Sequence, residues 1–314
     1  MKFPVFDLHC DTASFLIDRG NKKADFLREN THHIDLSRGQ LLDGYAQCFA
    51  VFTTTEFKLP CGLTPQDVFW REVSALLDQI DKNKDIIHLA KSASDIEKNR
   101  KDGFLSAVLT VEGAAGIGFD PEKLEKLYNI GFRISSLGWN EKNVLTGSNV
   151  TGGGLTARGR EYVKEAQRQG ILVDVSHISD EAFWDIINMT QAPVIATHSN
   201  SRAVCNVSRN LTDDMFRAIC QTGGVAGLNQ FTLFLGENAT LDTACDHIFH
   251  FMELDPEGRH IALGGDLDGC DDLPSGFTGV QDYPLLAQRL LQRGLDEQTV
   301  QNIFWNNALR VLGD

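Results

Sequence analysis

ILVDVSHISDEAFWDIINMTQAPVIATHS, residues 171–199, contains one complete strand–helix–strand unit. Ile171-Leu172-Val173-Asp174-Val175-Ser176 is a short, mostly apolar run, the pattern of a strand covered on both faces. Ser179-Asp180-Glu181 then opens a helix over Ala182 to Met189, with acidic residues at its positive end. Val194 to Thr197 forms the next strand. Two strands joined through a helix run parallel. Each of these runs is followed by a histidine, His177 after the first and His198 after the second.

The same pattern extends in both directions. Further runs lie at roughly Phe3 to Leu8, Tyr45 to Thr53, Ser106 to Val111, Phe132 to Leu137, Gly224 to Asn229 and His260 to Gly265, eight in all. Between them the spacing predicts helices over Thr64 to Ile87, from Pro121 onward, and over Ala157 to Gln169, Met215 to Thr222 and Leu241 to Leu254. Tyr283 to Gly294 and Asp296 to Leu312 close the chain as helices. Eight strands alternating with helices predict an α/β fold, a (β/α)8 TIM-type barrel, with an open doubly wound sheet as the rival. No internal repeat or Pro-rich linker divides the chain, so residues 1–314 read as one barrel domain. Thr151-Gly152-Gly153-Gly154-Leu155-Thr156 lacks the Gly-Lys-Ser/Thr ending of a phosphate loop and reads as a flexible connection near the barrel mouth.

Composition narrows the function. The 314 residues are 42% hydrophobic and 23% charged, enough for a sizeable core. A net charge of −14 without any cluster of Lys and Arg argues against nucleic acid as a partner. Seven cysteines, Cys61 among them, form no CxxC pair and read as reduced thiols. No apolar run approaches the ~20 residues of a membrane span. A cytoplasmic protein is expected.

Metal-ligand and acid–base side chains stand where the apolar runs end. His9 and Asp11 close the first run, and period-two alternation places both on one face. An isolated His-x-Asp is more often a core His beside a turn-capping Asp. Glu112 follows Ala107 to Val111 and precedes Gly113-Ala114-Ala115-Gly116. A carboxylate there is costly unless it is paired or bound to a metal. His177 and His198 occupy matching positions on successive strands. Asp266, Gly-flanked at the end of Ile261 to Gly265, suits an acid or base beside a metal-activated water. Arg209, with Asn210, sits in a polar loop where a guanidinium could grip a carboxylate. His32, His33 and His88 read as surface or loop residues. His260 merely opens a strand, and His247 and His250 share one helix face. Residues at the C-terminal ends of several strands converge on one mouth in a barrel, so the set is stronger than its members.

Taken together, Asp7-Leu8-His9-Cys10-Asp11, Val111-Glu112-Gly113, Asp174-Val175-Ser176-His177, Thr197-His198-Ser199-Asn200-Ser201, Ser208-Arg209-Asn210 and Gly265-Asp266-Leu267-Asp268-Gly269 resemble the motifs of the renal (membrane) dipeptidase family of zinc metallopeptidases. The resemblance runs from near Val5 to Asn306-Asn307-Ala308-Leu309-Arg310. It implies a (β/α)8 barrel holding two Zn2+ per chain, one on His9, Asp11 and Glu112, the other on Glu112, His177 and His198. It implies hydrolysis of a dipeptide by metal-activated hydroxide, with Asp266 handling the proton and Arg209 holding the substrate's free carboxylate. It also allows a homodimer, and the lack of a C-terminal lipid-anchor signal fits a soluble bacterial-type member. One position departs: where the renal enzymes carry a His after the fourth strand, this chain has Trp139. An indole cannot accept a proton, so oxyanion stabilisation is expected to pass to a zinc or to Asn140 or Asn143. The rivals are another barrel hydrolase, such as a deaminase, lactonase or phosphotriesterase, and a catalytically silent barrel. The former usually show His-x-His on the first strand, whereas this chain has His9-Cys10-Asp11.

Overall fold

Strands that must bury both faces have to be wrapped by other elements, and those of this chain are buried along nearly their whole length. The structure, a computed structural model, describes residues 3–17, 26–56 and 62–314. The strands are β1 (Val5–Cys10), β2 (Tyr45–Phe52), β3 (Ile87–Leu89), β4 (Leu105–Glu112), β5 (Phe132–Ser136), β6 (Leu172–Asp174), β7 (Val194–Ile195), β8 (Ala226–Leu228) and β9 (Ile261–Leu263). Every pairing between them is parallel. Eight of them follow the order β7-β6-β5-β4-β2-β1-β9-β8. A parallel bridge between Ala196 and Ala226 joins the two ends of that path into a ring. The closure is tight. A Cβ at Gly264 would stand 1.7 Å from the Thr197 carbonyl oxygen, so only glycine lets the end of β9 pass the chain after β7.

The sheet has a ninth strand that the apolar runs do not reveal. The helix expected to reach Ile87 stops at Lys82, and Asn83 ends it by turning its amide back onto the Gln79 carbonyl (2.7 Å). Ile87–Leu89 then pairs with the start of β4, outside the ring. Ala93–Asp102 is a further helix. With only Ile96 and Asn99 buried it shows almost no apolar stripe, although Ser92 caps its start and left-handed Gly103 its end. The expected C-terminal helix is interrupted: Glu297–Gln301 and Asn307–Leu312 flank a π-turn at Asn302–Asn306.

The other helices stand close to their expected places. Pro65–Lys82 starts on a capping box of Thr64 and Asp67, and Ser179 and Thr212 cap Asp180–Ile187 and Asp213–Thr222. A large apolar layer between helices and strands contains Phe69, Leu76, Tyr162, Phe183, Phe216 and Phe251. A second cluster fills the barrel with Phe6, Leu8, Cys48, Val108, Ile134 and Ala262, and Trp305 packs on Phe6 at its lower end. A packed interior leaves only the upper mouth open, which is where a site can form. The strands there are shorter than their apolar runs: the backbone leaves the sheet at Asp174, Ile195 and Leu263, and the ligand-type residues lie on the turns beyond.

Candidate active site

Six of the expected residues meet at the mouth. Glu112 ends β4, while His177, His198 and Asp266 lie three residues beyond the ends of β6, β7 and β9. His177 (φ 71°) and Asp266 (φ 57°) hold left-handed backbone conformations that side chains other than glycine rarely adopt. His9 does not reach the mouth by simple alternation. The pairing of β1 with β2 shifts register between Asp7 and Cys10. Asp7 accepts hydrogen bonds from the His9 and Gly265 amides (2.9 and 3.0 Å) and from the Tyr283 hydroxyl of the helix layer. It is buried and anchors the strand end rather than joining the site.

The donor atoms converge on Glu112. Its Oε2 lies 3.4 Å from His9 Nε2, and its Oε1 lies 2.9 Å from His177 Nε2 and 3.8 Å from His198 Nε2. Asp11 Oδ2 and Asp266 Oδ1 approach the same His9 nitrogen at 3.5 and 3.8 Å. Yet His9 Nε2 is buried and makes no hydrogen bond. The cluster therefore has two halves, and Glu112 offers one oxygen to each. Gly269 leaves room for it, since a Cβ there would stand 2.1 Å from Asp11 Oδ2.

Tautomers test whether this donor set fits a metal. His177 Nδ1 lies 3.0 Å from Asn140 Oδ1, an acceptor only, so Nδ1 carries the proton. His198 Nδ1 lies 2.7 Å from Thr197 Oγ1, whose own proton goes to Asp174 Oδ2 (2.6 Å), so this Nδ1 is protonated too. Both Nε2 atoms thus present bare lone pairs, and they face each other at 2.9 Å. Two lone pairs at that distance repel unless a cation lies between or beside them. Imidazole nitrogens and carboxylate oxygens are the ligands of a borderline divalent ion such as zinc, and the outer partners fix ring orientation as they do in zinc sites. The residues present fit such a group.

Electrostatics agree with a site made for cations. Burial alone would lower the His9 imidazole, but the charge of Glu112, with Asp11, holds it well above its usual value. Burial, with the nearby Arg209 and His9 charges, pushes His177 and His198 well below theirs. Burial and the neighbouring Asp11 charge raise Glu112 to about 8, and burial raises Asp266 to about 6. A divalent cation among them would draw these groups into their deprotonated, ligating forms.

Neighbours separate into cavity-lining and supporting residues. Asp11, Glu112, Trp139, His177, Asp266 and the aromatic side chains Phe52, Phe231 and Phe234 line a cavity of about 240 Å³. Trp139 stands between Phe52 and His177, with ring centroids 5.1 and 6.1 Å away. Arg209 is 5% exposed and donates to Ser199 Oγ (2.7 Å), while its Nε and Nη2 have no hydrogen-bond partner. Asn210 does not face the cavity: its amide donates to the Cys205 and Phe234 carbonyls (2.9 and 2.8 Å) and pins the loop that carries Arg209. Asn143 likewise braces its own loop, accepting from the Leu145 and Thr146 amides. Asn140 orients His177. His247, on the helix Leu241–Leu254, is a fully buried strut between the Ser201 amide and the Leu235 carbonyl. The Gly-rich loop does lie by the mouth, where Ser179 Oγ donates to the Gly153 carbonyl. The described cysteines are all free, and Cys61 lies outside the described residues.

Two supporting residues were legible only in part. Asp174 sits inside an apolar run, and a buried carboxylate there signals a partner without naming it. Asn229, at the end of its run, donates to Asp266 Oδ2 (2.9 Å) and occupies the same strand-end position as the ligand types. Asp174 yields a prediction. In Asp174→Asn an amide NH2 would face the Thr197 hydroxyl and turn its proton toward His198 Nδ1, moving the ring proton to Nε2. Affinity for a divalent metal ion, measured by competition with a chelator, should fall about 10–100-fold. Unchanged affinity would refute the relay.

The family model of membrane dipeptidases (peptidase family M19) matches residues 1–314. The chain belongs to this family. As a member of the membrane dipeptidase family it is a metallo-dipeptidase, a hydrolase of peptide bonds. It is 31% identical over 334 residues to an uncharacterized dipeptidase of Schizosaccharomyces pombe, spanning 98% of this chain and 80% of that one. An uncharacterized protein of Klebsiella pneumoniae is 36% identical over 262 residues, covering 79% of this chain and 96% of its own. Among solved structures, the fold is similar to a metallopeptidase of Rhodobacter sphaeroides liganded with a phosphinate mimic of the dipeptide L-Ala-D-Ala. That match has a TM-score of 0.89 and 28% identity, and it covers 99% of each chain. Despite the family's name, no helix among the described residues is long and apolar enough to cross a membrane.

Proposed function

We propose that this dipeptidase uses two zinc ions to cleave dipeptides that carry a free C-terminal carboxylate. His9, Asp11 and Glu112 would hold one ion, and Glu112, His177 and His198 the other. The observation that carries this reading is the placement of Glu112, whose two oxygens reach two different imidazole groups. When bound, a zinc pair lowers the pKa of a water from about 15.7 toward about 7 and polarises the peptide carbonyl.

The remaining work falls to the chain's own residues. Asp266 is held by Asn229 through Oδ2, which leaves Oδ1 beside His9 free to take a proton from the attacking water. The same oxygen returns it to the leaving amine. Arg209 is a buried guanidinium with two unpaired nitrogen atoms, and no carboxylate among the described residues lies within ion-pair distance of it. Burial of a cation without a counter-ion is costly, and a substrate carboxylate would remove that cost. The cavity of about 240 Å³ is of the size a small peptide would occupy. The bound L-Ala-D-Ala mimic of the Rhodobacter relative supports the same substrate class. Trp139, walled by Phe52, contributes an apolar surface in place of a proton acceptor and would favour apolar substrate side chains.

The test is a dipeptide panel that includes L,D pairs, run with metal content determined on the same sample. About two zinc ions per chain and activity abolished by a chelator are expected. Activity that survives complete metal removal would overturn the proposal.

A further inference from the structure

The lower end of the barrel carries a second cluster with mixed ligand chemistry. Cys220 lies in the last turn of the helix Asp213–Thr222, Asp255 caps the end of the helix Leu241–Leu254, and His260 immediately precedes β9. A sulfur, a carboxylate oxygen and a ring nitrogen from these three lie within 4.8 Å of one another. All three residues are half-buried, so solvent can reach them. His260 immediately precedes β9 and Asp266 lies three residues beyond its other end, so the length of the strand stands between them. The cluster is therefore separate from the catalytic mouth.

The trio is braced from outside. Asp255 Oδ2 accepts from the His260 backbone amide (2.8 Å). His260 Nδ1 lies 2.7 Å from the Gly224 carbonyl, so the proton sits on Nδ1 and the lone pair on Nε2. Arg310, tied to the Gly223 and Arg259 carbonyls (2.7 Å each), stands beside Asp255 and Cys220 and offsets part of the Asp255 charge. Cys220 is free. Burial pushes its thiol up to about 12, so by itself it is neither a nucleophile nor a redox group.

We propose that Cys220, Asp255 and His260 form a separate site for one zinc-class divalent ion, with solvent as its fourth ligand. Sulfur, imidazole and carboxylate together suit such an ion and exclude magnesium and calcium, which take oxygen alone. Tetrahedral zinc with bonds of about 2.0–2.3 Å places its ligand atoms about 3.4–3.6 Å apart. Metal binding releases the thiol proton to solvent and leaves the thiolate as ligand. The bound ion would tie two helix ends to the start of β9.

Cobalt(II) distinguishes this site from the catalytic one. No cysteine belongs to the catalytic donor set; Cys10, between His9 and Asp11, is buried and takes the Thr12 hydroxyl on its sulfur (3.3 Å). Cobalt titrated into the metal-free enzyme should therefore give a near-ultraviolet thiolate-to-cobalt charge-transfer band whose full intensity corresponds to one thiolate-bound ion per chain. The band should vanish in Cys220→Ser and in His260→Ala, persist in Cys205→Ser, and leave dipeptidase activity unchanged in all three. Absence of the band in the parent protein, or its survival in Cys220→Ser, would overturn the proposal. Should one variant fail to fold, the other carries the same test.

Discussion

Glu112→Gln should lower kcat/KM on a dipeptide by at least about 10³-fold and reduce zinc content from about two per chain to one or none. The substitution preserves volume and planarity. It replaces one of two oxygens with an NH2 that has no lone pair to donate. Whichever way the amide turns, one half of the cluster loses its ligand: His9 on the Oε2 side, or His177 and His198 on the Oε1 side. The fold should survive, because burial disfavours the charge that is removed. Kinetics, metal analysis and a thermal melt on the same preparation decide the matter. Two retained zinc ions with undiminished activity would show that Glu112 bridges nothing.

Arg209→Met should raise KM for a dipeptide about 10- to 150-fold, equivalent to about 1.5–3 kcal/mol for hydrogen bonds to a charged group. Metal content should not change. Met fills much of the space of the Arg stem and removes a buried cation that donates to Ser199 and has no carboxylate partner among the described residues, so stability should hold or rise. A substrate comparison separates recognition from general damage. The parent enzyme should prefer a dipeptide over its C-terminal amide by a factor close to the KM effect, and Arg209→Met should lose that preference. A variant that keeps its preference for the free acid would exclude Arg209 as the carboxylate receptor.

Adjacent residues show how far one-dimensional reading reaches. Arg209 and Asn210 look equally suited to substrate, being polar neighbours in one loop. The structure leaves Arg209 with unpaired nitrogens and spends Asn210 on backbone carbonyls. Their side chains diverge because the loop turns back on Phe234, a contact 24 residues away that no local pattern encodes. The barrel itself was legible because strands buried on both faces leave continuous apolar runs. β3 was not, since three residues after a long helix leave no pattern distinct from the helix end. The Ala93–Asp102 helix was hidden for the opposite reason, having almost no apolar face to repeat.

Local chemistry along the chain was enough to single out these side-chain types and their strand-end positions. Each candidate follows its own apolar run, and a strand that must be buried delivers the next polar residue to the barrel rim. Order along the chain could not say which nitrogen faces which oxygen. His9, Glu112, His177, His198 and Asp266 come from five separate strands and meet only when the Ala196–Ala226 bridge closes the ring. The division of Glu112 between two imidazole groups, the Asp174–Thr197–His198 relay and the register shift that frees His9 from Asp7 were decided by the tertiary structure. Each depends on backbone positions that sheet closure alone brings within hydrogen-bond reach.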